Sequence, residues 1–383
     1  MSTRQVAMII DLNKCIGCQT CTVACKTSWT SGEGQEGMWW NQVYTAPGHG
    51  TPKDWEQMGG GFKDGEPQKG IRPTQAAFGE GFELNYKEAL FEGAGKEALK
   101  PVGDEPQWGM NWDEDVGAGD YPNSYFFYIP RICNHCTKPA CMEACPRGAI
   151  FKRDEDGIVV INEEHCRGLR FCQSACPYKE IYYNHVTGHA QKCVFCLPRI
   201  EKGVATACSR QCPGRVRFLG FLDDEDGPIH KLVNVHKVAL PLHPEYETEP
   251  NVFYIPPLSP EKFDDDGNPT GEDRIPLEYL ESLFGPEVGP ALERIKQGRA
   301  DKQAGKGSDL MDTLISKNFL DLFGPFTNHP REIERIATEL EREPVELPPQ
   351  IEIGRMATGL ERDTAKLPPN FEITYNGRGG SNG

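Results

Sequence analysis

The reading of this chain turns on the stretch from Cys133 to Cys212. It runs Cys133-Asn-His-Cys136, Cys141 and Cys145-Pro146; then Cys166-Arg-Gly-Leu169-Arg-Phe-Cys172 and Cys176-Pro177; then Cys193-Val-Phe-Cys196, Cys208 and Cys212-Pro213. A fourth group, Cys15-Ile-Gly-Cys18, Cys21 and Cys25, stands near the N-terminus. Together these groups hold all 15 cysteines of the 383 residues, so none is used elsewhere. Three readings compete. Disulfide frameworks suit short secreted chains with an even cysteine count, and this chain is long with an odd one. Structural zinc uses two separated Cys-x-x-Cys pairs closed tetrahedrally. The Cys-x3-Cys-Pro endings instead fit iron–sulfur ligation, where three close ligands hold one cluster and the Cys-Pro cysteine reaches the other cluster of a pair. The spacing favours iron–sulfur.

On that rule the second and third groups pair locally, and the first must pair with the fourth. The ligand sets are then Cys15, Cys18, Cys21 and Cys212; Cys25, Cys193, Cys196 and Cys208; and Cys133, Cys136, Cys141 and Cys176. Cys145, Cys166 and Cys172 remain, and Leu169 holds the position of the missing ligand. A hydrocarbon side chain cannot bind iron, so a three-iron cluster is expected there. A four-iron cluster completed by water or another side chain, or a damaged site, stays open on the residues alone. Basic residues crowd the cysteines, among them Lys14, Arg131, Lys138, Lys192, Arg199 and Arg217. They are expected to offset thiolate and sulfide charge, against the plainer reading of ordinary surface cations. His135 is read as a structural hydrogen-bonding group, not a ligand.

The expected fold is α+β: two ferredoxin-like halves, each holding two clusters and related by pseudo-symmetry, with a loop-rich insertion and an extended C-terminal arm. Residues 1–25 and 185–222 form the first half and 126–184 the second. Val6–Asp11, Tyr125–Ile132, Ile181–Asn184 and Arg217–Phe221 read as strands, and Ala149–Ile161 as a hairpin turning at Asp156-Gly157. The insertion, 26–125, is glycine-punctuated, and all six tryptophans lie between the first and second cysteine groups, at 29, 39, 40, 55, 108 and 112. These serve a partner interface or a lid over the clusters. Region 223–334 is Pro-rich and expected to wrap a partner, with extended segments at Lys237–Pro244 and Val252–Pro260 and a helix-bearing stretch, Ile275–Lys296, broken at Gly285-Pro286. In the tail, 335–383, Arg335–Arg342 recurs as Arg355–Arg362 with a period of 20 residues. Two short units cannot build a solenoid core, so an arm lying along a partner is expected.

A net charge of −16 argues against nucleic acid as a partner. No run approaches the roughly 20 apolar residues of a membrane span. The N-terminus lacks an apolar core followed by a cleavage site. The chain is therefore expected to be cytoplasmic or to be exported on a partner's signal.

With these motifs and Asp11-Leu-Asn-Lys-Cys-Ile-Gly-Cys18 in view, the chain resembles the iron–sulfur beta subunits of type II dimethyl-sulfoxide-reductase-family molybdenum enzymes. That family includes nitrate, selenate, chlorate and perchlorate reductases, nitrite oxidoreductase, and ethylbenzene and dimethyl sulfide dehydrogenases. The resemblance covers residues 1 to about 300, including Asn111-Trp-Asp-Glu-Asp115, Ala239–Pro244 and Tyr254–Pro257. It implies three [4Fe-4S] clusters and one [3Fe-4S] cluster in a line, with no catalytic residues in the chain. The line would connect a molybdenum-cofactor catalytic subunit, at the Cys15 end, to a haem b subunit or another acceptor at the three-iron end. Leu169 stands where nitrate reductase beta subunits carry tryptophan. The compact insertion resembles the ethylbenzene dehydrogenase branch, which implies an extracytoplasmic location by co-export with a signal-bearing partner; the alternative is cytoplasmic and peripheral to the membrane. The repeat tail departs from the family. Two rivals remain, a freestanding multi-cluster ferredoxin and a catalytic iron–sulfur enzyme; against the latter, no acid–base or nucleophilic constellation accompanies the cysteines.

Overall fold

An unbroken apolar run cannot alternate between core and solvent, so Val6–Asp11 belongs in the middle of a sheet. The computed structural model, which describes residues 4–78, 92 and 117–326, puts it there. Strand β1 (Val6–Asp11) pairs antiparallel with Arg217–Phe221, Val6 opposite Phe221 and Ile10 opposite Arg217. On its other side it runs parallel to Val252–Ile255, with Met8 opposite Val252. Leu240–Pro241 forms the outer edge, where a proline removes no central hydrogen bond. All of β1 is buried. Both expected extended segments of the Pro-rich region thus contribute strands to the chain's own sheet.

Helix α1 (Thr20–Trp29) leaves the first ligand loop and carries Cys21 and Cys25 one turn apart. It packs against the short helix Ala207–Arg210, which carries Cys208 and is capped by the Thr206 side chain accepting from the Ser209 N–H. The local cysteine region alternates helix and hairpin: Ala140–Glu143, Ile150–Lys152 with Val159–Ile161, Phe171–Ala175, and Ile181–Asn184 with His189–Lys192. The first hairpin joins through Arg153–Ile158, a longer connection than a two-residue turn at Asp156-Gly157.

Strand β2 (Asn41–Ala46), in the insertion, pairs with β3 (Phe127–Ile132), Asn41 opposite Ile132 and Ala46 opposite Phe127. Sequence patterning missed β2, whose Asn-Gln-Val-Tyr-Thr-Ala is buried throughout and does not alternate. Trp39, Trp40 and Trp55 are buried, which favours the covering role for these three; Trp108 and Trp112 lie outside the described residues. The later helices divide at Gly285-Pro286 into Leu277–Phe284 and Val288–Gln303. They bury Leu280, Phe284 and Leu292 in the same core as β1. Two short helices follow, Asp309–Leu314 and Phe319–Phe323. The tail repeat and Asn111–Asp115 lie outside the described residues.

Candidate iron–sulfur cluster sites

None of the 15 cysteines is in a disulfide, and most are buried. The loop after β1 and the turn before Arg217 enclose a cavity lined by Cys15, Cys18, Cys21 and Cys212. Gly17 shapes this loop: its φ is +67°, and a Cβ there would meet the Tyr128 ring at 2.6 Å. Burial and the nearby Cys21 and Cys212 push the Cys15 thiol up to about 11, against the pull of a Gly17 N–H bond and Arg217.

A second cavity is lined by Cys25, Cys193, Cys196 and Cys208, together with Trp29 and Trp40. The Phe195 N–H donates to Cys193 Sγ at 3.3 Å, and the Ala207 N–H to Cys196 Sγ at 3.4 Å. The Trp29 Nε1–H adds a donor to Cys196 Sγ at 3.1 Å. Burial, then Cys193, Cys196 and Cys208, hold the Cys25 thiol well above its ordinary value. In the local region, Cys141 is raised in the same way by burial and then by Cys176, Cys133 and, more weakly, Cys136.

The fourth place gathers Cys145, Cys166 and Cys172, with Leu169 on the same wall. The Ala149 and Ala190 N–H groups each donate at 3.4 Å, to Cys145 Sγ and Cys166 Sγ respectively. Burial, Cys145 and Cys166 push Cys172 up to about 12. Leu169 is 49% exposed, so its wall opens toward solvent.

The donor set fits iron–sulfur clusters. Among the described residues, no three His, Cys, Asp or Glu side chains converge on a single metal ion, although zinc would draw its ligands to about 2.3 Å from one point. Cysteines facing a shared void suit a polynuclear core. The buried donors without a protein acceptor include the Trp40 Nε1–H on the second cavity and His135 Nε2. His135 Nδ1 accepts from the Val159 N–H at 3.1 Å, which leaves the proton on Nε2. Burial, then Lys192 and Lys152, keep that ring neutral. The raised thiols require a cationic core before they ionise, as metal binding supplies.

Neighbouring sites share contacts. α1 carries Cys21 of the first site and Cys25 of the second. Cys133 is the strongest charged neighbour of Cys193, linking second to third, and Cys172 and Cys176 interact, linking third to fourth. Each site therefore adjoins the next in the order first, second, third, fourth.

The basic residues divide by role. Arg217 and Lys192 are buried beside the cysteines, and Arg199 acts on Cys196. Arg131 instead pairs with Glu180 at 2.9 Å, and Lys138 with Glu249 on the surface. Lys26, Lys152 and Lys179 escaped sequence reasoning, yet each lies near a cysteine. Burial lowers Lys26 and Lys179 to about 8, while Glu36 and then Cys25 oppose the fall at Lys26 and Cys176 opposes it at Lys179.

Two family models match, a 4Fe-4S dicluster domain over residues 124–222 and a 4Fe-4S binding domain over residues 6–27. The dimethylsulfide dehydrogenase subunit beta of Rhodovulum sulfidophilum is 56% identical over 324 residues, 84% of this chain and 99% of the relative. The respiratory nitrate reductase subunit beta of Haloferax mediterranei is 54% identical, covering 82% of this chain and 91% of the relative. The selenate reductase subunit beta of Thauera selenatis is 52% identical, over 85% and 100%. A ferredoxin-like α+β chain with these matches belongs to the iron–sulfur, electron-transferring beta subunits of the dimethyl-sulfoxide-reductase family of molybdenum enzymes.

Proposed function

We propose that this chain relays electrons through four iron–sulfur clusters between a molybdenum-cofactor catalytic subunit and a haem b subunit or another acceptor. The observation that supports the reading is the succession of four groups of cysteines, each adjoining the next. When bound, the clusters supply one-electron carriers. The chain's own residues hold them, exclude water and set their potentials through N–H···S bonds and buried cations. Three sites take [4Fe-4S] through the sets led by Cys15, Cys25 and Cys133. The fourth takes [3Fe-4S] through Cys145, Cys166 and Cys172, because Leu169 offers no ligand.

Both ends of this succession present apolar surface. Ile16 and Val23 are exposed near the first site, and Leu169 and Phe171 at the fourth. Such patches suit docking partners, the catalytic subunit at the first end and the acceptor at the other. The two ferredoxin-like halves form a pseudo-symmetric frame, and the tail 335–383 forms an arm on a partner. No described helix is long and apolar enough to cross a membrane. Co-export with a signal-bearing catalytic partner places the complex outside the cytoplasm.

The test is the iron and molybdenum content of the native complex, purified anaerobically through this chain. Molybdenum, with iron at or above the roughly 15 atoms per copy that three four-iron clusters and one three-iron cluster contain, is the expected result. Iron at that level with no molybdenum and no large partner favours the freestanding ferredoxin and overturns the subunit reading.

A further inference from the structure

Arg217 is a buried cation that no carboxylate among the described residues meets. It is 1% exposed, and among the described residues no Asp or Glu oxygen lies within ion-pair reach of it. Arg131, also 1% exposed, shows the usual solution, with Glu180 at 2.9 Å. The Arg217 guanidinium instead donates to Asn41 Oδ1 at 2.6 Å and lies against Met8 Sδ at 3.4 Å and Cys208 Sγ at 3.7 Å. It also lines the first cavity with Cys15, Cys18, Cys21 and Cys212, whereas Cys208 lines the second. One charge therefore faces two sites. Asn41 fixes it there, since its Nδ2 donates to Thr22 Oγ1 at 3.3 Å on α1, between Cys21 and Cys25.

A guanidinium cannot shed its proton, and a buried charge is costly unless an anion meets it. The anions that Arg217 faces are the thiolates of two adjacent sites and the clusters they hold. We propose that Arg217 is a counter-charge shared by the first and second clusters, raising the reduction potentials of both together. Taking up one electron adds one negative charge to a cluster, and a fixed positive charge beside it stabilises that reduced form. The third and fourth sites lie beyond the second and have other cations: at the third, Lys192 acts on Cys141, Lys152 on Cys136 and Lys179 on Cys176; at the fourth, Arg147, Arg167 and Arg170 line the cavity. The inference rests on the assignment of clusters made above.

The experiment is a potentiometric titration of the holo-complex, followed by electron paramagnetic resonance, on three variants. Arg217→Gln removes the charge. Asn41→Asp keeps Arg217 and neutralises it with a carboxylate of nearly the same shape. Arg217→Lys keeps the charge and loses the fork of donors. Arg217→Gln and Asn41→Asp are expected to lower the potentials of the first and second clusters and leave the third and fourth in place; Arg217→Lys is expected to stay near the wild type. If Arg217→Gln loses iron, Asn41→Asp decides. The inference is overturned if neither cluster moves, if one moves alone, or if all four shift. A full complement of clusters with unmoved potentials sinks the shared charge alone; a wild-type iron content short of four clusters sinks the assignment beneath it.

Discussion

Leu169 and Trp29 show how much of an iron–sulfur site rests on single side chains. Leu169 shares a wall with Cys145, Cys166 and Cys172, and a thiol in its place would supply the missing ligand. Leu169→Cys is expected to raise the iron content by about one atom per chain, converting a three-iron to a four-iron stoichiometry, and to abolish the resonance of the oxidised three-iron centre. Retention of that resonance with unchanged iron would show that Leu169 does not stand at the vacant corner. Trp29→Phe removes the 3.1 Å N–H···S bond to Cys196 while keeping the ring's bulk. Such a donor favours the more negative, reduced state, so its loss should lower the second cluster's potential. A bond worth about 1 kcal/mol corresponds to roughly 40 mV at ~59 mV per tenfold change for one electron, and redox titration measures it. The cysteines were legible in the sequence because ligand type and spacing are local. Lys26, Lys152 and Lys179 were not singled out, and Trp29 was read only with the other tryptophans as part of an interface or a lid, because proximity to a particular cysteine arises from folding; Trp29 meets Cys196 from 167 residues away in the chain.

Among the elements, strands with an apolar run or a turn signal were readable, as β1 and Ile150–Ile161 show. β2 was not, because its Asn41, Gln42 and Thr45 are buried polar residues, and polar residues normally mark the solvent face. Asn41 holds Arg217, while Gln42 Nε2 donates to the Thr51 carbonyl at 2.6 Å. A related junction joins the insertion to the Pro-rich region. His243 Nε2 meets Glu56 at 2.9 Å and Nδ1 meets Glu245 at 2.7 Å, bridging the turn Trp55–Met58 to Pro244–Tyr246. Burial pulls its pKa down, but bonds to Glu245 and Glu56 outweigh this and raise it above the usual value. A raised folded-state pKa gives stability that is fully present below the unfolded value, near ~6.5, and lost as pH rises through the folded value. His243→Gln should therefore destabilise the protein by about 1 kcal/mol at acidic pH, discounted for the half-exposed carboxylates, and by less as pH rises to alkaline values. Melting curves across that range check it; a difference that grows with pH would contradict the bridge.

At the scale of the whole molecule, the clustering of the cysteines and the strands around them were legible, while the role of region 223–326 was only half so. Proline content pointed outward to a partner, yet Val252–Ile255 runs parallel to β1 and the helices from Leu277 share its core. Long-range burial decides this, and composition does not record it. The tail keeps the outward expectation: deleting residues 335–383 should reduce the catalytic subunit recovered with this chain while leaving its iron content intact. Co-purification in unchanged yield would remove the arm from the proposal.

The sheet also sets a timetable. β1 is apolar on both faces, but its antiparallel neighbour begins at Arg217 and its parallel one at Val252. A ribosome adding roughly 5–20 residues per second leaves β1 exposed for on the order of 10–40 s before its first neighbour emerges. The second hairpin region, whose contacts are nearer in sequence, can close meanwhile. During synthesis the half that begins the chain is thus the last to be finished, and a chaperone or the catalytic partner has that interval in which to guard its uncovered strand.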